Sequence, residues 1–227
     1  MRRLLVAILA LLCGCKRYHA PDNASPLRPQ KRDHIVAFVL DTSGSFLTEM
    51  FGKNPHAYRF FLRASDELLR DRRGPDDKIL MTQLSAESKS LLWEGTPLEL
   101  RRCFGSSQRL QQFLTERSNP RGTRAYAAIA TTLEYICNLP GVSQGETGVC
   151  VIVMSDMEDN SPTQSEDRQE MVNALTRLHN AKGDIGFYFV DQTRLRDCRQ
   201  ALEKVGVKDP IVECGIVQNP RLPKFRF

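Results

Sequence analysis

Six consecutive apolar residues, Ile35-Val36-Ala37-Phe38-Val39-Leu40, and six more, Val149-Cys150-Val151-Ile152-Val153-Met154, constrain the fold of this 227-residue chain more than any other feature. A strand with one face in water alternates apolar and polar side chains. A run that is apolar throughout and rich in β-branched residues reads as a strand buried on both faces, as in a parallel sheet. Each run stops abruptly at polar residues, Asp41-Thr42-Ser43-Gly44-Ser45 after the first and Ser155-Asp156 after the second. Asp41, Ser43 and Ser45 stand at alternating positions, so in an extended turn their three oxygens converge on one point. Hard cations such as Mg²⁺ take oxygen ligands and keep room for water, which makes the pentapeptide a candidate ion site at the end of a central strand.

The rest of the chain alternates strand and helix. Ala57–Arg70 reads as a helix with Phe60, Phe61, Ala64, Leu68 and Leu69 on one broad face, stopped by Asp71-Arg72-Arg73-Gly74-Pro75. Lys78–Leu84 reads as a strand, and Ser90–Leu100 as a weaker edge strand broken by Gly95 and Pro97. Helices are expected over Gln108–Glu116, Tyr126–Leu139, Glu166–Ala181 and Leu195–Val205, and strands over Ile185–Val190 and Ile211–Val217. Such alternation implies an α/β domain, a doubly wound, mostly parallel sheet with helices on both faces. Right-handed crossovers then put every strand-to-helix loop at the carboxyl edge, where ligands bind in such folds. Asp41 and Asp156 both follow buried strands on that edge.

The ends carry a different message. Arg2 and Arg3 precede an apolar stretch, Leu4–Leu12, too short to span a bilayer, which needs about 20 residues. Leu12-Cys13-Gly14-Cys15 resembles a bacterial lipoprotein signal, which implies removal of residues 1–14 and lipidation of Cys15; an ordinary secretory peptide would also export the chain. Residues 15–33, polar and containing Pro21, Pro26 and Pro29, read as a lipid-anchored tether, 34–217 as the domain, and 218–227 as a basic tail at the surface or disordered. Loss of Arg2 and Arg3 lowers the formal charge from +5 to about +3, which is no nucleic-acid-binding excess. Of seven cysteines, Cys103, Cys137, Cys150, Cys198 and Cys214 remain once Cys13 is removed and Cys15 lipidated. Connectivity cannot be deduced from such spacing, and Cys137 with Cys150 is the pair to test first. There is no CxxC and no Cys/His cluster with zinc spacing.

Arg121-Gly122-Thr123 lies in the loop before the small-residue helix, on the same edge, so Thr123 can face Asp41. With Asp41-x-Ser43-x-Ser45, Thr123 and Asp156 in this order, the chain resembles a von Willebrand factor A domain over about residues 33–217, with that family's metal-ion-dependent adhesion site. The resemblance implies a six-stranded sheet of order 3-2-1-4-5-6 with one antiparallel edge strand, a place for the weak Ser90–Leu100 segment. It also implies that Ser43 and Ser45 ligate the ion directly, Thr123 directly or through water, and Asp41 and Asp156 through coordinated waters or directly. Mg²⁺ is the expected ion, with Mn²⁺ or Ca²⁺ as alternatives. Neutral hydroxyls leave it electrophilic, so a partner protein's carboxylate can complete the shell at about 2.0–2.1 Å. Met157 stands where the family often has Gly. Arg121 and Arg124 flank Thr123, placed to compete with an ion, to grip an anionic partner, or to be solvated. Glu158 and Asp159 read as a solvated loop or a second ion site, and Trp93 as packing on the edge strand.

The expected function is an exported, membrane-anchored module of the bacterial cell envelope, periplasmic or surface-facing, that binds a protein partner through the ion and binds no nucleic acid. The alternatives are a metal-free envelope scaffold of the same fold and a metal-assisted hydrolase. Against hydrolysis, Ser43 replaces the second Asp expected of an aspartyl phosphatase, and no Walker loop or GxGxxG is present. His34, His56 and His179 fall outside the edge loops and His19 in the tether, so no catalytic residue is assigned.

Overall fold

The computed structural model describes residues 33–44, 46–70, 77–84, 90–118, 124–215 and 220–226. The signal segment, Cys15, nearly all of the tether, Ser45, Arg121 and Thr123 lie outside the described residues. The strands are β1 (His34–Asp41), β2 (Lys78–Leu84), β3 (Leu91–Gly95), β4 (Gly148–Met154), β5 (Asp184–Tyr188) and β6 (Ile211–Val212). The helices are α1 (Leu47–Phe51), α2 (His56–Leu69), α3 (Pro97–Phe104), α4 (Ser107–Arg117), α5 (Ala125–Cys137), α6 (Gln164–Asn180) and α7 (Leu195–Lys204). The sheet order is β3-β2-β1-β4-β5-β6, parallel throughout except for the antiparallel β2–β3 pair, as expected from the sequence. None of the described helices is long and apolar enough to cross a membrane.

Both faces of the central strands are covered, which explains why neither face carries polar residues. Ile35, Ala37 and Val39 of β1 and Val149, Val151 and Val153 of β4 pack with α5, α6 and α7. Val36, Phe38, Leu40, Cys150, Ile152 and Met154 point the other way, into the residues of α1, α2, α3 and α4. Alanines 125, 128 and 130 on α5 are all buried in the first of these layers, where small side chains let a helix approach the sheet closely. In the second layer Phe38 meets Phe61 edge-to-face at 4.7 Å, and Trp93 packs beside Phe104.

Two expectations are corrected. Ser90–Leu100 is not one strand. β3 ends at Gly95, and Thr96 starts α3 with a reciprocal capping box, its hydroxyl taking the Glu99 N–H (3.2 Å) and the Glu99 carboxylate taking the Thr96 N–H (2.7 Å). Pro97, read as a strand breaker, is a first-turn helix residue, where its missing N–H costs nothing. β6 spans two residues rather than seven, although Glu213 still exchanges backbone hydrogen bonds with Phe187 and Val190. The thiols of Cys137 and Cys150 lie on opposite faces of the sheet, and all five described cysteines are free.

The tail lies at the surface, one of the two expected readings, and is anchored there. Residues 220–226 dock against the domain. Leu222 and Phe225 pack on the second core layer, Phe225 standing edge-on to His34 at 4.7 Å. The buried Asp184 accepts the Lys224 N–H on one oxygen and the Arg226 guanidinium on the other, each at 2.9 Å. The Tyr188 hydroxyl donates to the Arg221 carbonyl. Basic and proline-containing composition hid two apolar anchors three residues apart. Replacing Asp184 by Ala is expected to lower stability by about 1–3 kcal/mol, the cost of leaving such donors unmatched. It should also speed amide exchange at Lys224, read by mass spectrometry on the C-terminal peptide.

Candidate functional site

The parallel register pairs Leu40 with Met154, so Asp41 and Ser155 are the next residues, side by side, past the ends of β1 and β4. Asp41 is completely buried. One carboxylate oxygen accepts the Ser43 N–H at 2.8 Å, and the other accepts the Ser155 hydroxyl at 2.6 Å. The Ser43 side chain is hydrogen-bonded to the same carboxylate. Burial pushes the Asp41 carboxyl above its ordinary range, the bonds from Ser155 and Ser43 pull it partly back, and the nearby Asp156 pushes it up again. Thr42 points elsewhere, its hydroxyl donating to Gln83 at the end of β2 (3.1 Å). The Ser43 carbonyl accepts the Leu47 N–H, which leads the turn into α1.

Beyond β4 the chain makes two overlapping turns. The Ser155 hydroxyl accepts the Met157 N–H (2.8 Å), and the Asp156 carboxylate accepts the Glu158 N–H (2.9 Å). Met157 has φ +63°, the left-handed conformation that favours glycine, while its side chain is fully buried in the α5–α7 layer. The family's common Gly and this chain's Met therefore answer to different demands, one of backbone and one of packing. Asp156 itself is half-exposed, and its carbonyl accepts the Asp191 N–H at 3.0 Å, tying the loop after β5 to the site.

The structure thus brings Asp41, Ser43 and Asp156 to one end of the two central strands. Asp159, read as a loop residue, is buried. Its carboxylate accepts the Tyr126 N–H (3.0 Å) in the first turn of α5 and the Ser161 N–H (2.7 Å), so it caps that helix from across the edge. Arg124 neither competes at the site nor is free in solvent. It grips the buried Asp167 in the first turn of α6 through three contacts of 2.8–3.3 Å and touches the Thr163 hydroxyl at 3.2 Å. Ser161 and Thr163 add hydroxyls to the same carboxylate at 2.8 and 3.1 Å. Burial alone would raise Asp167, but Arg124, Ser161 and Thr163 together hold it below the usual carboxylate range. Sequence reasoning missed Ser155, Asp159 and the Arg124–Asp167 pair. Only Ser155, one place beyond the second apolar run and level with Asp41, carried a readable signal.

The donor set fits a hard divalent ion. Among the described residues no ion pair reaches Asp41, although its carboxylate is buried and faces only neutral donors and a second carboxylate. Nor do three or more His, Cys, Asp or Glu side chains of the described residues cluster to hold a metal, so the oxygens on offer are those of two carboxylates and hydroxyls. Two carboxylates balance the charge of a divalent ion, and hydroxyls add neutral oxygens without further charge.

No protein-family model matches the chain, and no curated protein matches it. Among solved structures, the SpRpn10 VWA domain superposes with a TM-score of 0.53 over 85% of this chain and 92% of that domain, at 8% identity. Proximal thread matrix protein 1 from the mussel byssus matches at TM-score 0.47 and 15% identity over 82% of this chain and 44% of that one. A second structure of it, with a zinc-occupied MIDAS motif, matches at TM-score 0.39 and 18% identity over 70% and 37%. This chain therefore spans less than half the length of the mussel protein it matches. The likeness to the SpRpn10 domain is one of fold, and the fold is that of a von Willebrand factor A domain.

Two outcomes test this local account. Met157→Ala keeps the strained backbone and loses the buried side chain, at a cost of about 2–5 kcal/mol. Met157→Gly should be the more stable of the two by about 1 kcal/mol, because it relieves the left-handed strain; chemical denaturation compares them. Asp167, whose folded pKa is depressed, contributes stability that is complete above the unfolded value of about 3.9 and lost as pH falls towards the folded one. The stability difference between wild type and Asp167→Asn should therefore be full at pH 6 and shrink below about pH 4 in melts across that range.

Proposed function

We propose that this chain is a binding module that captures a partner protein through a divalent ion held at the carboxyl edge of the sheet by Asp41, Ser43, Ser45, Thr123 and Asp156. The observation that carries the reading is Asp41, a fully buried carboxylate with both oxygens oriented by neutral donors and, among the described residues, no cationic partner. A bound Mg²⁺, or Mn²⁺ or Ca²⁺ in its place, would supply the missing positive charge and an open position for a carboxylate of the partner. The chain's own residues hold and orient; none is assigned a catalytic role. His34 starts β1 at the opposite edge, bonded to Asp77, and His179 lies in the last turn of α6, so neither serves as a base here. Export directed by residues 1–14 and lipidation at Cys15 would hold the module at a bacterial membrane, facing the periplasm or the cell surface.

Thermal melts in millimolar Mg²⁺, Mn²⁺ or Ca²⁺ test the ion. A site occupied only in the native state stabilises by about 2.7 kcal/mol at a hundred times its Kd, and Asp41→Ala should abolish that gain. Capture of a partner from envelope extract should then fail in excess chelator. No shift with any of the three ions would sink the reading and favour a metal-free scaffold.

A further inference from the structure

We infer that Ser155 is the positioning residue that sets the two carboxylates of the site relative to one another. The inference rests on the ion-binding reading above. A serine hydroxyl has one proton to give and lone pairs to receive. Here the Met157 N–H, which can only donate, occupies a lone pair at 2.8 Å, and the Asp41 carboxylate, which when ionised can only accept, takes the proton at 2.6 Å. The direction of the hydroxyl is therefore dictated at both ends. Ser155 is completely buried, so water cannot substitute for either partner.

The two bonds act on different ligands. The first, with the N–H and side-chain bonds from Ser43, clamps the Asp41 carboxylate and leaves it one further lone pair for an ion or its water. The second holds the left-handed Met157 turn, and that turn, with the Asp156–Glu158 bond, fixes how Asp156 leaves β4. One neutral side chain thus couples a carboxylate on β1 to a carboxylate on β4 and adds no charge that would quench the ion. Groups that orient ligands from behind are worth about 10–100-fold in metal affinity when removed. A hydroxyl is also the right size. The β1–β4 register puts residue 155 beside Asp41, where a longer carboxylate or amide would enter the ligand space itself.

The test measures Mg²⁺ and Mn²⁺ affinity of the full chain by calorimetry for wild type, Ser155→Ala and Ser155→Thr, with circular dichroism as the check on folding. Ser155→Ala is expected to weaken binding 10–100-fold, and Ser155→Thr, which keeps the hydroxyl, to stay within about threefold of wild type. If Ser155→Ala lowers the melting temperature but binds as tightly as wild type, the residue is merely structural and the inference falls. Should Ser155→Ala not fold, amide exchange in the wild type decides. Exchange of the Met157 N–H should slow on adding Mg²⁺, and an unchanged rate in a protein that does bind Mg²⁺ overturns the inference alone. A wild type that binds neither ion overturns the ion-binding reading, and this inference with it.

Discussion

The parallel pairing of β1 with β4 is the constraint on which the rest of the molecule depends. Their shared register, His34 with Gly148 through Leu40 with Met154, places alternate side chains of both strands on the same face. One face feeds the α5–α7 layer and the other the α1–α4 layer. A slip of one residue would exchange Ala37 for Phe38 against layers packed for each of them, so the register has no low-energy alternative. The same register delivers Asp41 beside Ser155. The core, through packing alone, therefore positions the polar site one residue beyond its own end.

At that edge three buried carboxylates are stabilised in three ways. Asp167 faces a guanidinium and two hydroxyls, Asp159 faces two backbone N–H groups including one in the first turn of a helix, and Asp41 faces, among the described residues, neutral donors and the Asp156 carboxylate. The first two are satisfied as they stand. Asp41 is the one in which desolvation outweighs the hydrogen bonds, which is why its carboxyl is raised while that of Asp167 is lowered. Among the described residues Asp167 has a cationic partner and Asp41 has none, the contrast on which the ion-binding proposal rests. The Arg124–Asp167 pair also keeps the Arg124 guanidinium from competing for the site.

Legibility differed by element, for identifiable reasons. The two apolar runs declared themselves because burial on both faces leaves no other residue class available, and α2 between them carried plain periodicity. Thr96-Pro97-Leu98-Glu99 was misread because a proline after a strand signals either a broken edge or the first turn of a helix. Only the reciprocal Thr96–Glu99 bonds separate the two. The anchoring of the tail was not legible because Leu222 and Phe225 are sparse anchors among basic residues, and because their docking goes with bonds to Asp184, about forty residues away. Arg124 was left open between competing with an ion, gripping an anionic partner and being solvated, because its partner Asp167 lies 43 residues on.

The strand order was implied only by the family resemblance; the two buried central runs and the candidate ligands Asp41, Ser43 and Asp156 were determined by the sequence itself. These follow from local chemistry, in which hydrophobic period sets strands and abrupt polar ends mark the sheet edge. The protonation bias of Asp41, the double bond of Ser155, the strain at Met157, the helix cap from Asp159 and the docked tail were decided only by the tertiary structure. Each of these is a contact between residues whose neighbours in sequence say nothing of one another, or a desolvation that exists only once the layers have closed over the site.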